Sequence, residues 1–495
     1  MPRLIVGPFN RVEGDLEVRL DIADGRVRSA EVCAPMYRGF EQILLGRPAG
    51  DALVIVPRIC GICSVSQSVA ATRALADLAG VQPPPNGLLA TNLMLACENL
   101  ADHLTHFYLF FMPDFTREVY ATRPWFVEAR RRFAALSPEG CGEHHRLATA
   151  ARARWFTLMG LLGGKWPHTG SLEAGGSARA IDAAERLRLL ARVREFRGFL
   201  ERTLFGAPLE AVAALSSLAD LARWRAERPT GTDAGAGDLR FFLDLADDLG
   251  LARLGPGPGL WISHGAYPQP DGTRAIGGGV WRAGASATAA LDLSRITEDV
   301  TRAWLAADGE PARHPARGLT LPDADKPGAY SWNKAPRLGG EVAETGALAR
   351  QLADGQPLLR ELVAREGSGV LARVLARLME LARVVPLMEG WLKAIRPGEP
   401  FCRPAPLPAE GQGCGLTEAA RGALGHWIAL QGGRIRHWQI IAPTSWNFSP
   451  RDAGGRPGAL EQALEDAPVH PGETTPVAVQ HIVRSFDPCM VCTVH

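Results

Sequence analysis

The chain has 495 residues, 46% of them hydrophobic and 22% charged, an ordinary globular composition long enough for about three average domains. Its 54 Lys and Arg balance 53 Asp and Glu, a net charge of +1. That excludes disorder and makes nucleic acid or an anionic membrane an unexpected partner. The most apolar stretch, Asn86 to Met112, carries Glu98, Asp102, His103 and His106, too costly for a lipid-facing helix, so the chain is not expected to span a membrane. The start, MPRLIVGPFNRVEGD, lacks the apolar core and cleavage site of a signal peptide. Nine cysteines spread over so long a chain read as reduced thiols of a cytoplasmic protein, not as a secreted disulfide scaffold.

In chain order, Leu16 to Val32 reads as a hairpin: Leu16, Val18, Leu20 and Ile22 alternate with polar neighbours and Asp24-Gly25 supplies the turn. After Asp51 the pattern becomes helical. Asn86-Gly87 opens a long helix on which Leu93, Cys97, Leu100, Leu104 and Phe107 keep helical spacing, with Pro113 marking its end. Further helices are expected at Ala183–Leu204 and Gly369–Ile395. Leu221–Leu251 is charged, Ala/Gly-rich and looser, and Gly255-Pro-Gly-Pro-Gly259 is a break. Leu260–Trp281 reads as a β excursion turning at Asp271-Gly272, and extended apolar runs return at Ile435–Ala442 and Val477–Arg484. The expected fold is α+β, predominantly α, in one domain: a β segment over residues 1–50, a helical body over 51–430 with its β excursion at about 260–281, and a C-terminal metal-binding segment over 431–495.

Two C-x-x-C pairs stand out, Cys60-Gly-Ile-Cys63 and Cys489-Met-Val-Cys492, where about 0.15 such pairs are expected by chance from nine cysteines. Such a turn sets both sulfurs within about 2.3 Å reach of one metal. A structural zinc site normally spaces its pairs roughly 15–20 residues apart, and a single redox pair would sit on a βαβ frame absent here. Spacing alone leaves a four-thiolate metal site balanced against chance or zinc.

The flanking residues add a resemblance. Arg58-Ile-Cys60-Gly-Ile-Cys63 and Asp487-Pro-Cys489-Met-Val-Cys492-Thr-Val-His495 resemble the two signatures of the nickel-iron hydrogenase large subunit. Asn10-Arg-Val-Glu-Gly14, Tyr37-Arg-Gly-Phe-Glu41, Gly163-Gly-Lys-Trp-Pro-His168, Trp332-Asn-Lys-Ala-Pro-Arg337, Glu418-Ala-Ala-Arg-Gly-Ala-Leu-Gly-His426 and Pro443-Thr-Ser-Trp-Asn447 resemble further blocks of that family in the expected order.

The resemblance implies that Cys60 and Cys489 bind nickel alone while Cys63 and Cys492 bridge it to an iron bearing carbonyl and cyanide ligands; H2 would be split there into hydride and proton. By the same resemblance Glu13 is the proton relay, Arg421 overhangs the open nickel position with Asp102 and Asp487 supporting it, and Pro443 and Thr444 cradle the cyanides. Ala420 stands where the family usually has proline. Glu41 and His495, with a backbone carbonyl around Ile440, match a magnesium site whose remaining ligands are water. His168, His426 and His481 are expected to make core hydrogen bonds.

Three departures point to the hydrogen-sensing, regulatory branch, with slow turnover. Gln67 stands where the family motif ends in histidine, the chain stops at His495 without the usual extension, and Ile62 and Phe110 are bulky at positions matching the gas-channel wall. The competing readings are an uptake or bidirectional hydrogenase of energy metabolism and a zinc-stapled scaffold. Cys33, Cys97, Cys141, Cys402 and Cys414 are too dispersed for an electron relay, so an iron-sulfur small subunit is implied. In the sensor reading a sensor histidine kinase receives the signal.

Overall fold

The computed structural model describes residues 3–136, 140–227, 237–404 and 406–495. Strands Glu17–Ala23 and Arg26–Cys33 form the expected hairpin, with Arg3–Val6 added on the outer side of the first. Its turn residues, Asp24 and Gly25, both have positive φ, 55° and 70°, which matches the right-handed twist of the strands they join.

Two long helices form the centre. Pro85–Thr105 begins with proline in its first turn, where a missing N–H costs nothing, and runs on into a π-helical turn over His106–Phe111. Val370–Ala394 is the longer helix, with Pro386 inside it. Leu93, Leu100, Leu104, Val374, Leu378 and Leu381 are all at most 1% exposed, so these helices are core on most of their circumference. Ala183–Phe199 packs outside them, opened by a reciprocal cap between Asp182 and Glu185.

Three expectations change. The region Leu221–Leu251 holds helices Leu218–Ala226 and Asp238–Asp248, the apolar faces of Leu221, Trp224, Phe242 and Leu245 overriding its polar, small-residue composition; residues 228–236 lie outside the described residues. Val477–Arg484 belongs to a helix, Val477–Phe486: its β-branched residues recur with helical period and bury one stripe. The helical body also does not reach residue 430. Strands Gly411–Ala419, Gly422–Gln431 and Arg434–Ile441 form an antiparallel meander. That sheet lies against the helix Ser64–Ala79, and glycine permits the approach: a Cβ on Gly415 would sit 2.0 Å from the Ala70 carbonyl oxygen. The β excursion is as expected, four short strands between Leu260 and Arg282. The architecture is α+β, with the helices dominant. No helix among the described residues is long and apolar enough to cross a membrane.

Candidate metal centre

The ends of the chain meet at the two cysteine pairs. Cys63 sits at the start of the Ser64–Ala79 helix, and Cys489 precedes the short turn Met490–Thr493. Cys60 Sγ lies 3.5 Å from Cys489 Sγ, Cys63 Sγ 3.1 Å from Cys492 Sγ, and Cys489 Sγ 2.8 Å from Cys492 Sγ. All four sulfurs fall within 4.8 Å of one another, are buried, and form no disulfide. The amides of Ile62 and Cys63 both donate to Cys60 Sγ at 3.3 Å. Hydrogen bonds from the Cys489, Cys492 and Cys63 sulfurs hold the Cys60 thiol well below its ordinary value, as a soft cation would do for all four.

Glu98 fixes the first pair. Buried on the Pro85–Thr105 helix, it accepts from the amides of Val65 and Ser66 at 2.8 Å, from Ser66 Oγ at 2.9 Å, from Trp166 Nε1 at 3.1 Å and from Ser64 Oγ at 3.4 Å. It thus satisfies the free amides at the start of the cysteine-bearing helix. Sequence reasoning missed this role; the available signal was a carboxylate inside an otherwise apolar helical run.

The second pair is held by the N-terminal loop. Met490 N donates to the Glu13 carbonyl at 2.7 Å and Glu13 N to the Pro488 carbonyl at 3.4 Å. Gly14, at φ 78°, permits this pairing, since a Cβ there would lie 2.9 Å from Val491 N. Arg484 secures the same loop, donating to Asn10 Oδ1 at 2.7 Å and pairing with Asp114 at 2.5 Å. The Glu13 side chain is half-buried beside the sulfurs; burial first, then the Cys60 charge, raises its pKa.

Arg421 occupies the two-residue turn between strands Gly411–Ala419 and Gly422–Gln431, whose register pairs Ala419 with Gly422. Its Nε donates to the Asp487 carbonyl at 2.9 Å and its Nη2 to Asp487 Oδ1 at 3.1 Å. Nη1 stands 2.9 Å from Asp102 Oδ2, off the hydrogen-bond line, so Nη1 and both Asp102 oxygens lack a hydrogen-bond partner. Burial pushes Asp102 up to about 8 against the pull of Arg421, whereas Arg421 keeps Asp487 below the usual carboxylate range despite burial. Asp487 adopts φ 59°, the bend that turns the chain from helix into the cysteine loop. Thr444, in the short helix Pro443–Asn447, accepts from Cys489 N at 3.2 Å through its hydroxyl oxygen.

A second polar cluster lies beneath. His495 Nε2 is 3.3 Å from Glu41 Oε1, while His495 Nδ1 contacts the Cys492 carbonyl at 2.5 Å. Lys334 Nζ lies 3.0 Å from Glu41 Oε2. Although burial opposes it, Lys334 and then His495 hold Glu41 well below the usual carboxylate range. The Ile440 amide donates to Glu41 Oε1 at 2.9 Å. Lys334 and Glu298, the latter pushed up to about 7 by burial, were not anticipated. Glu298 Oε2 and Asn333 Oδ1 are buried without hydrogen-bond partners and line the same small cavity as Glu41 and His495.

Gln67 is fully buried and its Oε1 accepts from His426 Nε2 at 2.9 Å; burial lowers the imidazole to about 3. His168 and His481 also make internal hydrogen bonds, to the Pro57 carbonyl and to the Tyr120 hydroxyl. Ile62 packs against the apolar cluster that contains the four cysteines. Phe110 does not: it is half-buried on the π-helical turn, its carbonyl accepting from Arg11, and belongs to none of the apolar clusters among the described residues.

The sequence profile of the family described as nickel-dependent hydrogenase matches residues 38–147 and 251–495. The periplasmic [NiFeSe] hydrogenase large subunit of Desulfomicrobium baculatum is 29% identical over all of this chain and 95% of its own length. The Hydrogenase-1 large chain of Escherichia coli K12 is 28% identical, again over 100% and 95% of the two chains, and the uptake hydrogenase large subunit of Rubrivivax gelatinosus is 26% identical over the same shares. The crystal structure of a reduced, active form of the D. baculatum Ni-Fe-Se hydrogenase superimposes with a TM-score of 0.85 at 28% identity, covering both chains completely. With four buried sulfurs gathered in one place and a family match over most of its length, this chain belongs to the nickel-dependent hydrogenases, oxidoreductases acting on H2, and is a large subunit of the kind that pairs with a small subunit.

Proposed function

We propose that Cys60, Cys63, Cys489 and Cys492 hold a nickel–iron centre at which H2 is split, its electrons leaving through an iron–sulfur small subunit. The carrying observation is the convergence of four buried sulfurs beside the buried Arg421, Asp102 and Asp487. When bound, the metals supply the open coordination position and the redox change that H2 cleavage requires. By the family resemblance Cys60 and Cys489 would hold nickel alone and Cys63 and Cys492 would be shared with iron; all four sulfurs lie within 4.8 Å of one another and are free to ligate. Arg421 sets a fixed positive charge over the reacting atoms, where a dry surrounding strengthens it. Glu13, half-buried beside Cys60 with its pKa raised, accepts the released proton and passes it outward. Pro443 gives an apolar wall and Thr444, whose oxygen is engaged by Cys489 N, keeps its own proton to donate to a cyanide on iron. Glu41, His495 and the unpartnered Glu298 oxygen offer a magnesium ion a partial shell completed by water. The five other cysteines form no second metal-holding group among the described residues, which supports an external iron–sulfur relay.

The named roles among the relatives, uptake and periplasmic, favour hydrogen consumption in energy metabolism over the sensor role expected from Gln67. They also leave the cytoplasmic placement resting on thiol count alone. Hydrogen sensing through a histidine kinase stays as the second reading because the Gln67–His426 pair is neutral and sealed. Metal content and hydrogen-dependent dye reduction test the main reading; zinc without nickel, or no carbonyl and cyanide infrared bands, refutes it. Turnover at or above about 10 per second, the typical enzyme value, supports the metabolic role, and far slower turnover with a co-purifying kinase supports the sensor.

A further inference from the structure

Arg350 is fully buried and every one of its five N–H groups has an acceptor. Nε and Nη2 grip Glu380 at 3.1 and 3.0 Å, and Nη1 reaches Glu418 Oε2 at 2.9 Å. The remaining two donate to the carbonyls of Ala419, at 2.7 Å, and Ala420, at 3.0 Å. Those carbonyls belong to the two residues that precede Arg421 at the tip of its hairpin. The turn itself is only the two residues Ala420 and Arg421. Arg350 lies on the helix Ala347–Ala353, and the segment leading into it closes the other side, Thr345 Oγ1 accepting from Ala423 N at 2.6 Å. The bond to Glu380 ties the same guanidinium to the helix Val370–Ala394.

The geometry points to Arg350 as the positioning residue that sets the pose of Arg421. Its planar fork holds two adjacent carbonyls in one plane, which a lysine of equal charge cannot do. This inference rests on the proposed role of Arg421, and it adds that the role depends on a residue remote from the metals.

The test compares Arg350→Lys, Arg421→Lys and the double variant in the assembled enzyme, by hydrogen exchange and by turnover. In Arg350→Lys the amides of Ala420 to Ala423 should exchange about tenfold to a hundredfold faster, as expected on losing buried bonds to a charged donor, while those of Trp427 to Leu430 in the same sheet keep their rates. Turnover should fall roughly a hundredfold with KM for H2 unchanged. In the Arg421→Lys background the Arg350 substitution should cost almost nothing more. Acceleration spread evenly along the sheet, or a turnover loss equal in both backgrounds, overturns the positioning role and leaves that of Arg421 standing. Full activity of Arg421→Lys overturns both. Should Arg350→Lys fail to assemble, Glu380→Gln loosens the same fork, and unchanged exchange at the hairpin tip then overturns the inference.

Discussion

Replacing Glu98 with glutamine should flatten the pH dependence of this protein's stability. None of the five groups that donate to Glu98 carries a charge, and burial pushes its pKa from 4.5 up to about 7. The folded pKa exceeds the unfolded one, so the stability that the protonated form contributes is complete below about pH 4.5 and is lost as pH rises through about 7. At about 1.4 kcal/mol for each pH unit between those values, the loss is roughly 3 kcal/mol. Glutamine stays neutral throughout and keeps one oxygen facing the helix start, so it gives a constant offset without that slope. Unfolding entropy of about 2.1 cal/mol/K per residue makes the difference roughly 3 °C in melting temperature for a chain of this size. The measurement is a set of thermal melts of parent and Glu98→Gln between pH 5 and pH 9. Melting curves that stay parallel across that range refute the argument and mean that the five donors outweigh burial.

Cys492→Ser should abolish nickel and iron retention and lower hydrogen oxidation by at least about a thousandfold, since a neutral hydroxyl replaces a thiolate ligand; metal analysis with normal nickel would contradict it. Glu13→Gln should keep both metals yet lose about two to four orders of magnitude in turnover, the range for removing a general base, with Glu13→Asp intermediate; equal turnover in Gln and parent would move the proton elsewhere. Ile62→Val, beside the cysteines, should make hydrogen oxidation more sensitive to graded oxygen than Phe110→Leu does, because only the first opens space in the cluster around the sulfurs. Equal responses would remove Ile62 from any gas passage.

The site was legible wherever its chemistry sits in contiguous motifs. Both cysteine pairs, Arg421, Asp487 and Glu13 lie in such blocks, and the structure brings them together with Asp102 from the long helix. The hairpin at Asp24-Gly25 and the two long helices were equally readable, because a turn dipeptide and a sustained period need no tertiary context. The run Ile435–Ala442 marked the last strand of the C-terminal sheet, but Gly411–Ala419 and Gly422–Gln431 were hidden, the middle strand being buried on both faces, which erases the two-residue alternation. Arg350 and Glu98 were invisible for the opposite reason: each is a single charged residue whose meaning lies in partners far along the chain.

The meeting of the two chain ends also sets a timetable for synthesis. Cys60 and Cys489 are separated by 429 positions, and the clasp between Asn10 and Arg484 by 474. At roughly 5–20 residues per second, a ribosome makes the first cysteine pair, already seated on its helix, tens of seconds before the second. A cation arriving in that interval finds two thiols instead of four, and closing so long a loop is among the slowest steps a fold can require. The cage around the sulfurs therefore closes only after the second pair has followed the first by that interval, and the contacts between Asn10 and Arg484 and between Glu13 and Met490 close with it.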